Sequence, residues 1–475
     1  MAPARTSAQT LTKRWQSLCD RYLPVTITDS IWRFSRNHLP GDPPQGWKLH
    51  VAATILSAAD TLNAIAPLLS ARSVLFKAPL SLVELAKLNT GVYYGYSQVG
   101  KFLTIYPHTT DEAVQLAEEL YRLTCRFTAP SIPFDTRYRS DGSVYYRYGA
   151  FDVLTLDAGG ENPVYAIRDP NGNLVADLRD SESHPAWITD PFVRDKRDTS
   201  PQPAPTPLRT TFRAFRALGQ RGKGGVYQAI DLSATSPRFC VLKEGRKHGE
   251  IDWDHRDGFW RIRHEGRVLS LLRKRGIDVP QVHSSFVAGK NYFLAVEFIE
   301  GEDLRNSLKR RQRRMPLKVA ITRSAELARI LAQIHSAGWV WRDCKPANVI
   351  ITRRGLRPVD FEGACPINHP DRYPWGTDPY LSPEATAPFR GQSRLPEDLY
   401  ALGAVIYFLL SGRTAEAPSP TPLSRLRRNL PRDLSSLVMD LLHPDPARRP
   451  EAKAAAARLA ILCRSLPANS ARCRI

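Results

Sequence analysis

Apolar and polar positions along the chain change their period at several places, and the changes outline two successive folded regions. In the first, GWKLHVAA (46–53) alternates as a half-buried strand does, while Ala59 to Leu69 repeats its apolar residues at helical spacing. KFLTIYP (101–107) and SVYYRYGAF (143–151) are further strand candidates. Helices and strands mix there, which predicts an α+β region. In the second region strands come first and helices after. A glycine-rich hairpin at Leu218–Tyr227, a strand VLKE (241–244), an amphipathic helix from Trp260 to Leu272 and a strand NYFLAVEF (291–298) precede helical spacing from Pro316 onward. Arg194 to Thr211, rich in proline and charge and poor in apolar residues, reads as a tether between the two. The expected organisation is a first domain at 1–193, a linker at 194–211 and a second domain at 212–475, with no internal repeat.

A chain of 475 residues with 42% hydrophobic and 24% charged residues has material for two cores. Its longest apolar stretch, Tyr400 to Leu410, is too short to span a bilayer, and the start MAPARTSAQTLTKRW has no apolar run behind its basic residues. Neither membrane insertion nor a secretory signal is expected. The seven cysteines are scattered without a CxxC pair, which fits a reduced cytoplasm. A net charge of +20 attracts anions, among them nucleotides and phosphorylated groups, but charge alone does not choose among them. The densest basic run, Lys309 to Arg314, reads most simply as a solvated loop or helix end.

The second region carries the clearest chemistry. In LGQRGKGGVY, Gly219 and Gly224 with Val226 stand where a phosphate-covering loop needs them, although Arg221 replaces the middle glycine and Gly222 adjoins it. Lys243 lies on the strand behind this loop and Glu265 on the helix that follows, in the order in which a lysine holds nucleotide phosphates and a glutamate orients the lysine. WRDCKPANVII (341–351) followed by VDFEGA (359–364) resembles the catalytic segment of protein kinases. The resemblance makes Asp343 the residue that takes or orients the acceptor hydroxyl's proton, Lys345 the cation beside the moving phosphoryl, and Asn348 and Asp360 the oxygen ligands of magnesium. It implies a bilobal kinase fold using Mg2+ and ATP or another nucleoside triphosphate. Downstream, GTDPYLSPE, DLYALG and DPARRP complete the likeness, with Glu384 and Arg449 expected to pair structurally. Two residues depart from it: Trp341 stands for the usual histidine and Glu362 for the usual glycine. Between Asp360 and Gly376 there is no serine or threonine and only one tyrosine, Tyr373, so this segment is expected to be held by its own contacts and to need no activating phosphate.

The first region offers cations at suggestive positions. Lys48 and His50 are two apart on one strand and face the same way. Lys77 lies in VLFKA, Lys101 in GKFLTIYP, Arg137 in FDTRYRSD and Arg147 in YYRYGAF. Taken singly, each is an ordinary surface cation. As a set, through GWKLHVAAT, FKAPLS, GKFLTIYP and YYRYGAF, they resemble the phosphothreonine-lyase-like domain of class III and class IV lanthipeptide synthetases, which join such a domain to a kinase. VLKEGRKHGEIDWDHRDG and VDFEGA are similar to that group's insert after the strand lysine and to its DFE variant.

The resemblance implies a peptide dehydratase. A kinase phosphorylates serine or threonine of a precursor peptide bearing a leader, and a lyase then removes the α proton and expels phosphate to leave dehydroalanine or dehydrobutyrine. It makes Lys77 the base and His50 the acid, with Lys48, Lys101, Arg137 and Arg147 gripping the phosphate. For Lys77 to act as a base its pKa must fall from about 10.4 by roughly 3 pH units, a cost of about 4 kcal/mol, which neighbouring cations and partial burial can impose. The family continues into a cyclase-like domain, whereas this sequence ends at Ile475. The expectation is dehydration without ring closure, a separate cyclase where rings form, no cyclase-type zinc site and no nucleic-acid partner. Two other readings stay open: a signalling serine/threonine kinase with a sensing or docking first domain, and a non-enzymatic peptide scaffold, against which Lys243, Asp343, Asn348 and Asp360 speak.

Overall fold

The computed structural model of the chain describes residues 7–156, 164–177, 179, 184–192, 207–311, 314–416 and 420–465. Most of the expected tether and two residues of the basic run lie outside them. Contacts divide the chain into two units. The first holds Met1–Arg238, Leu242–Ile262 and Phe286–Phe293, and the second holds Phe239–Val241, Arg263–Ser285 and Leu294–Ile475.

The first unit opens with helix α1 (Ala8–Tyr22), which begins where the Ser7 hydroxyl accepts the Thr10 amide at 3.1 Å and buries Leu11, Trp15 and Cys19 on one face. Strands β1 (Val25–Thr26), β2 (Trp32–Phe34) and β3 (Gln45–Val51) follow, then helix α2 (Ala58–Ala71), β4 (Leu75–Pro79), helix α3 (Leu82–Thr90), β5 (Leu103–Tyr106), helix α4 (Thr110–Thr124), β6 (Thr136–Arg137) and β7 (Val144–Ala150). These seven strands form one antiparallel sheet in the order β1-β2-β4-β5-β3-β7-β6. Alternation gives the central strands two unlike faces. Leu49, Val51, Phe76, Leu103, Ile105, Val144 and Tyr146 pack with Leu62 and Ile65 of α2 and Leu116 and Leu120 of α4. The intervening Lys48, His50, Lys77, Thr104, Tyr145 and Arg147 project to the opposite face. Strands β8 (Thr155–Leu156), β9 (Val164–Arg168) and β10 (Leu174–Ala176) form a separate small sheet.

A one-turn helix, α5 (Pro207–Thr210), leads into the glycine-rich hairpin of β11 (Phe212–Arg221) and β12 (Gly224–Asp231). The hairpin tip belongs to the first unit and is held there. The Gly222 amide donates to the Thr90 carbonyl at 3.0 Å, and a Cβ at this position would lie 1.7 Å from the Asn89 carbonyl oxygen. Only glycine fits. The insert after β13 (Arg238–Gly245) folds over the same tip, with the Arg246 amide on the Lys223 carbonyl at 2.8 Å and the Arg246 guanidinium on the Tyr96 hydroxyl at 2.5 Å. Ile251 and Trp253 of the insert pack against the core beneath the seven-stranded sheet. Gly222, noted in the sequence only as adjoining Arg221, is a close-packing residue.

Helix α6 (Gly258–Lys274), β14 (Val282–Ala288) and β15 (Asn291–Glu297) complete a five-stranded sheet of order β11-β12-β13-β15-β14. The second unit continues with β16 (Glu302–Asp303), α7 (Leu304–Arg311), α8 (Leu317–Ser336), β17 (Trp339–Val340), β18 (Val349–Thr352), β19 (Gly355–Pro358), β20 (Cys365–Pro366), α9 (Leu395–Ser411), α10 (Leu423–Leu426), α11 (Arg432–Leu441) and α12 (Ala452–Ser465). Strands followed by helices reproduce the expected kinase-type order. The basic run begins in the last turn of α7, and Arg314 donates to the Leu426 carbonyl at 2.8 Å. The apolar stretch at 400–410 lies within α9, whose residues are buried nearly all round, as suits a central helix. Glu384 and Arg449 pair as expected: one guanidinium nitrogen donates to the carboxylate at 2.8 Å, and Arg449 also caps the carbonyls of His443 and Pro396. Among the described residues no helix is long and apolar enough to cross a membrane.

Ile105 lies opposite Leu49 on one side and Phe76 on the other, fully buried. Ile105→Ala is expected to lower the unfolding free energy by about 2–5 kcal/mol. The measurement is the urea midpoint, at unchanged slope.

Candidate functional site

The register of the first unit's sheet brings its predicted residues together. His50 of β3 pairs with Thr104 of β5, and Lys77 of β4 pairs with the same Thr104 from the other side. Directly opposed residues of antiparallel strands project to one face, so Lys77 and His50 flank Thr104 across roughly two strand spacings of about 4.8 Å each. Lys48 pairs with Arg147 of β7 on that face. Two aspartates, neither anticipated from sequence, organise these cations. Asp135 meets His50 Nδ1 at 2.5 Å through one oxygen and Lys101 Nζ at 3.1 Å through the other. Asp177 accepts from Arg147 at 2.6 Å and lies 3.3 Å from Arg179, a cation also not anticipated. Asp135 stands two residues before Arg137 within a segment already noted for its basic residues. Asp177 and Arg179 follow β10 and carry no sequence signal of their own. The Lys77 ammonium lies over Trp32, 4.5 Å from the ring centre.

Arg137 is placed differently. Its guanidinium donates to Ser131 Oγ at 2.8 Å and to the Ser140 carbonyl at 2.9 Å, and it lies over the Tyr145 ring. It braces its own loop and is not joined to Asp135 or Asp177 by the contacts above.

Burial sets the electrostatics. It is the first cause that pushes Lys77 down to about 8, with Arg179 and Lys101 adding to it. Sequence reasoning put the neighbouring cations first; removal from water is the larger influence. Burial likewise pushes Lys48 well down, helped by Arg147 against the pull of Asp177. Lys101 is lowered by burial in spite of Asp135. His50 is pushed down to about 4 by burial, against the opposing charge of Asp135. The resting ring is therefore neutral near pH 7. With Nδ1 donating to Asp135, the lone pair sits on Nε2. Burial pushes Tyr106 up, so its phenol keeps its proton.

The second unit gathers its own set. Lys345 Nζ donates to Asp343 at 2.7 Å and to the Thr377 hydroxyl at 2.8 Å, and Thr377 Oγ1 donates to the other Asp343 oxygen at 3.1 Å. Asn348 Nδ2 donates to Asp343 at 2.8 Å, which leaves its amide oxygen for another partner. Burial and the charge of Asp360 push Asp343 up against the pull of Lys345, which favours proton acceptance. Carboxylate oxygens of Glu265, Asp360 and Glu362 lie within 4.8 Å of one another, a hard-oxygen set that fits a divalent cation. Glu265 also accepts the Phe361 amide at 3.1 Å. Trp341 takes over a positioning task at its unusual place: its indole donates to the Asp360 carbonyl at 2.8 Å and stacks on Phe361 with ring centres 5.3 Å apart. Asp398 of α9 anchors the segment by accepting the amides of Trp341 at 2.8 Å and Arg342 at 2.6 Å. Thr377 was missed from sequence, although it lies inside a motif noted there. Gly219, Gly224 and Val226 lie on the β11–β12 hairpin and Lys243 on β13, buried, all in the first unit. The Gly224 backbone, at φ +151°, passes so close to the Glu244 carbonyl that a Cβ would stand 1.8 Å from its oxygen.

A protein kinase domain model matches residues 212–459, more than half of the chain. The chain belongs to the protein kinase family. A model described as the RamC N-terminal domain matches residues 25–203, so the kinase follows a second recognised domain. The probable SapB synthase of Streptomyces coelicolor is 32% identical over 346 residues, covering 70% of this chain and 36% of the relative. That alignment is longer than either domain match and therefore spans both. It bears out the resemblance to lanthipeptide synthetases at the level of architecture. The serine/threonine-protein kinase pkn2 of Myxococcus xanthus is 32% identical over 267 residues, covering 50% of this chain and 31% of the relative. Serine/threonine-protein kinase F of Synechocystis is 30% identical over 236 residues, covering 45% and 46%. The chain thus spans between about a third and a half of the length of these relatives.

The shift of His50 has a measurable sign. Between pH 6.5 and about 4 the unfolded chain binds a proton that folded His50 refuses, so stability falls as pH falls through that window. Taking the full chain from about pH 7 to about pH 5 is expected to cost about 2 kcal/mol at this site. Urea titrations at the two pH values should show a smaller difference for His50→Asn than for the wild type.

Proposed function

We propose that the chain is a two-step peptide dehydratase: its kinase phosphorylates serine or threonine of a precursor peptide with ATP, and its first unit then eliminates the phosphate. The observation that carries this reading is the shared face of Lys77 and His50 about Thr104, set among Lys48, Lys101, Arg147 and Arg179.

In the first step Asp343 receives the acceptor hydroxyl, oriented by Lys345, Asn348 and Thr377. Asp360 and Asn348 are the residues that would hold Mg2+, which draws charge from the phosphate oxygens when bound. In the second step phosphate meets a region with a surplus of positive charge, where Lys48, Lys101, Arg147 and Arg179 hold its oxygens. Neutral Lys77 removes the α proton, the electron pair forms the Cα=Cβ bond, the Cβ–Oγ bond breaks, and phosphate departs. Because Nδ1 is engaged by Asp135, Nε2 of His50 is the nitrogen that delivers a proton to the leaving oxygen. The ring is neutral at rest, so the acid is generated on binding: the charge of the arriving phosphate ester raises the proton affinity of Nε2. The same charge also raises Lys77, which is why a resting value of about 8, already depressed, matters. Arg137 supports the loop that carries Asp135.

The test uses the full chain, ATP, Mg2+ and a peptide library centred on serine or threonine, with peptide mass as readout. Wild type is expected to yield products short of one water, Lys77→Ala to accumulate phosphopeptide, and Asp343→Asn to give neither. Supplied with a ready-made phosphothreonine peptide and no ATP, wild type should show a kcat/KM that is highest between about pH 4 and about pH 8 and declines above about 8, because elimination needs neutral Lys77 together with protonated His50. Wild type that only ever adds phosphate would end the elimination reading and leave the kinase.

A further inference from the structure

Arg342, the residue before Asp343, has its guanidinium fully buried, and most of its contacts reach into the segment after Asp360. It donates to the Tyr373 carbonyl, meets Asp371 Oδ2 at 3.3 Å, and donates to Glu397 Oε2 of α9 at 3.2 Å. A second buried arginine completes the arrangement. Arg394 donates to the Asp371 carbonyl at 2.7 Å, to the Arg372 carbonyl at 2.9 Å and to Glu397 Oε1 at 2.6 Å. Three successive carbonyls, of Asp371, Arg372 and Tyr373, are thus gripped by two arginines, and Glu397 bridges the pair. Within these contacts two guanidinium groups face two carboxylates. Without Asp371 a buried positive charge would be left over, a costly state that loosens whatever surrounds it.

Kinases that are switched by phosphorylation supply such a second anion afterwards, as a phosphate that orders the segment by pairing with arginine. Here the position is already filled by an encoded carboxylate, whose own loop is turned so that Asp371 Oδ1 accepts the Tyr373 amide at 3.2 Å. The segment from Asp360 to Gly376 offers Tyr373 as its only hydroxyl, and the main chain of Tyr373 is already held by Arg342 and Asp371. We infer that Asp371 substitutes for an activation-segment phosphate, a positioning residue that holds this segment through Arg342 and frees phosphotransfer from any need for prior phosphorylation. The segment leads directly to Thr377, which bonds Asp343 and Lys345, so its order is transmitted to the groups around the acceptor hydroxyl.

The inference rests on phosphotransfer by the kinase and not on elimination. Its test therefore uses Lys77→Ala as the common background, with labelled ATP and the serine/threonine peptide library, and Asp343→Asn as the blank. Protein treated with phosphatase, and shown by mass to carry no phosphate, is expected to transfer at the untreated rate without a lag. Asp371→Asn, which keeps the side chain's size and loses its charge, is expected to lower kcat by about tenfold or more with little change in KM for ATP, and Asp371→Glu to recover most of the loss. Faster cleavage by a protease within residues 363–376 in Asp371→Asn, reversed in Asp371→Glu, would locate the defect in this segment. A phosphatase-treated enzyme that loses activity until it rephosphorylates itself overturns the inference, as does Asp371→Asn at the background rate. Absence of transfer in every arm would remove the kinase reading, and this inference with it.

Discussion

Buried charge must be balanced, and the two units meet this constraint in opposite ways. Around Arg342 and Arg394 the carboxylates of Asp371 and Glu397 match the cations one for one, and the cluster serves as a fixed joint. On the cationic side of the seven-stranded sheet, Lys48, Lys77, Lys101, Arg147 and Arg179 confront Asp135 and Asp177 among the described residues. That set is short of negative charge. Burial is the first cause of the depressed proton affinities of its lysines, and the shortfall adds to it, since each proton bound there enlarges the positive surplus. A closed cluster resists change, whereas an open one is completed by an anion.

Strand alternation is what allows such a surplus to exist inside a stable fold. Leu49, Phe76 and Ile105 fasten the sheet to its helices, so the residues between them cannot turn away from one another to relieve repulsion. Desolvation and repulsion are imposed by a backbone whose stability comes from the other face. Asp135 and Asp177 limit the cost while fixing orientation, since each bridges two cationic or basic groups. The geometry of the site thus derives from an apolar core that takes no part in its chemistry.

How much of this was legible in the sequence depended on how local the information was. Asp343, Lys345, Asn348 and Asp360 lie within one short stretch whose spacing resembles that of protein kinases. Lys48 and His50 were legible because a period of two is a local property, and Lys77 because it sits on a strand of the same kind. Asp135, Asp177 and Arg179 were not, because they arrive from loops at long sequence separation, and only the register of β3, β5 and β7 places them. Trp341 and Glu362 stood out as departures from a kinase pattern, but what Trp341 does instead, holding the Asp360 carbonyl and stacking on Phe361, needed three dimensions. The depth at which His50 is buried was not legible either, because it depends on how the loops close over the sheet.

The tip of the glycine-rich hairpin, where the Gly222 amide meets the Thr90 carbonyl and no Cβ can fit against Asn89, ties the inheritance of the two matched domains together. A helix α3 lengthened or shortened by one residue would rotate Thr90 away and carry the turn of the hairpin with it. Exchange of either domain for a counterpart from another lineage would therefore have to bring along both α3 and the insert that carries Arg246, Ile251 and Trp253. The seam at which such chimaeras could be joined does not coincide with the proline-rich tether.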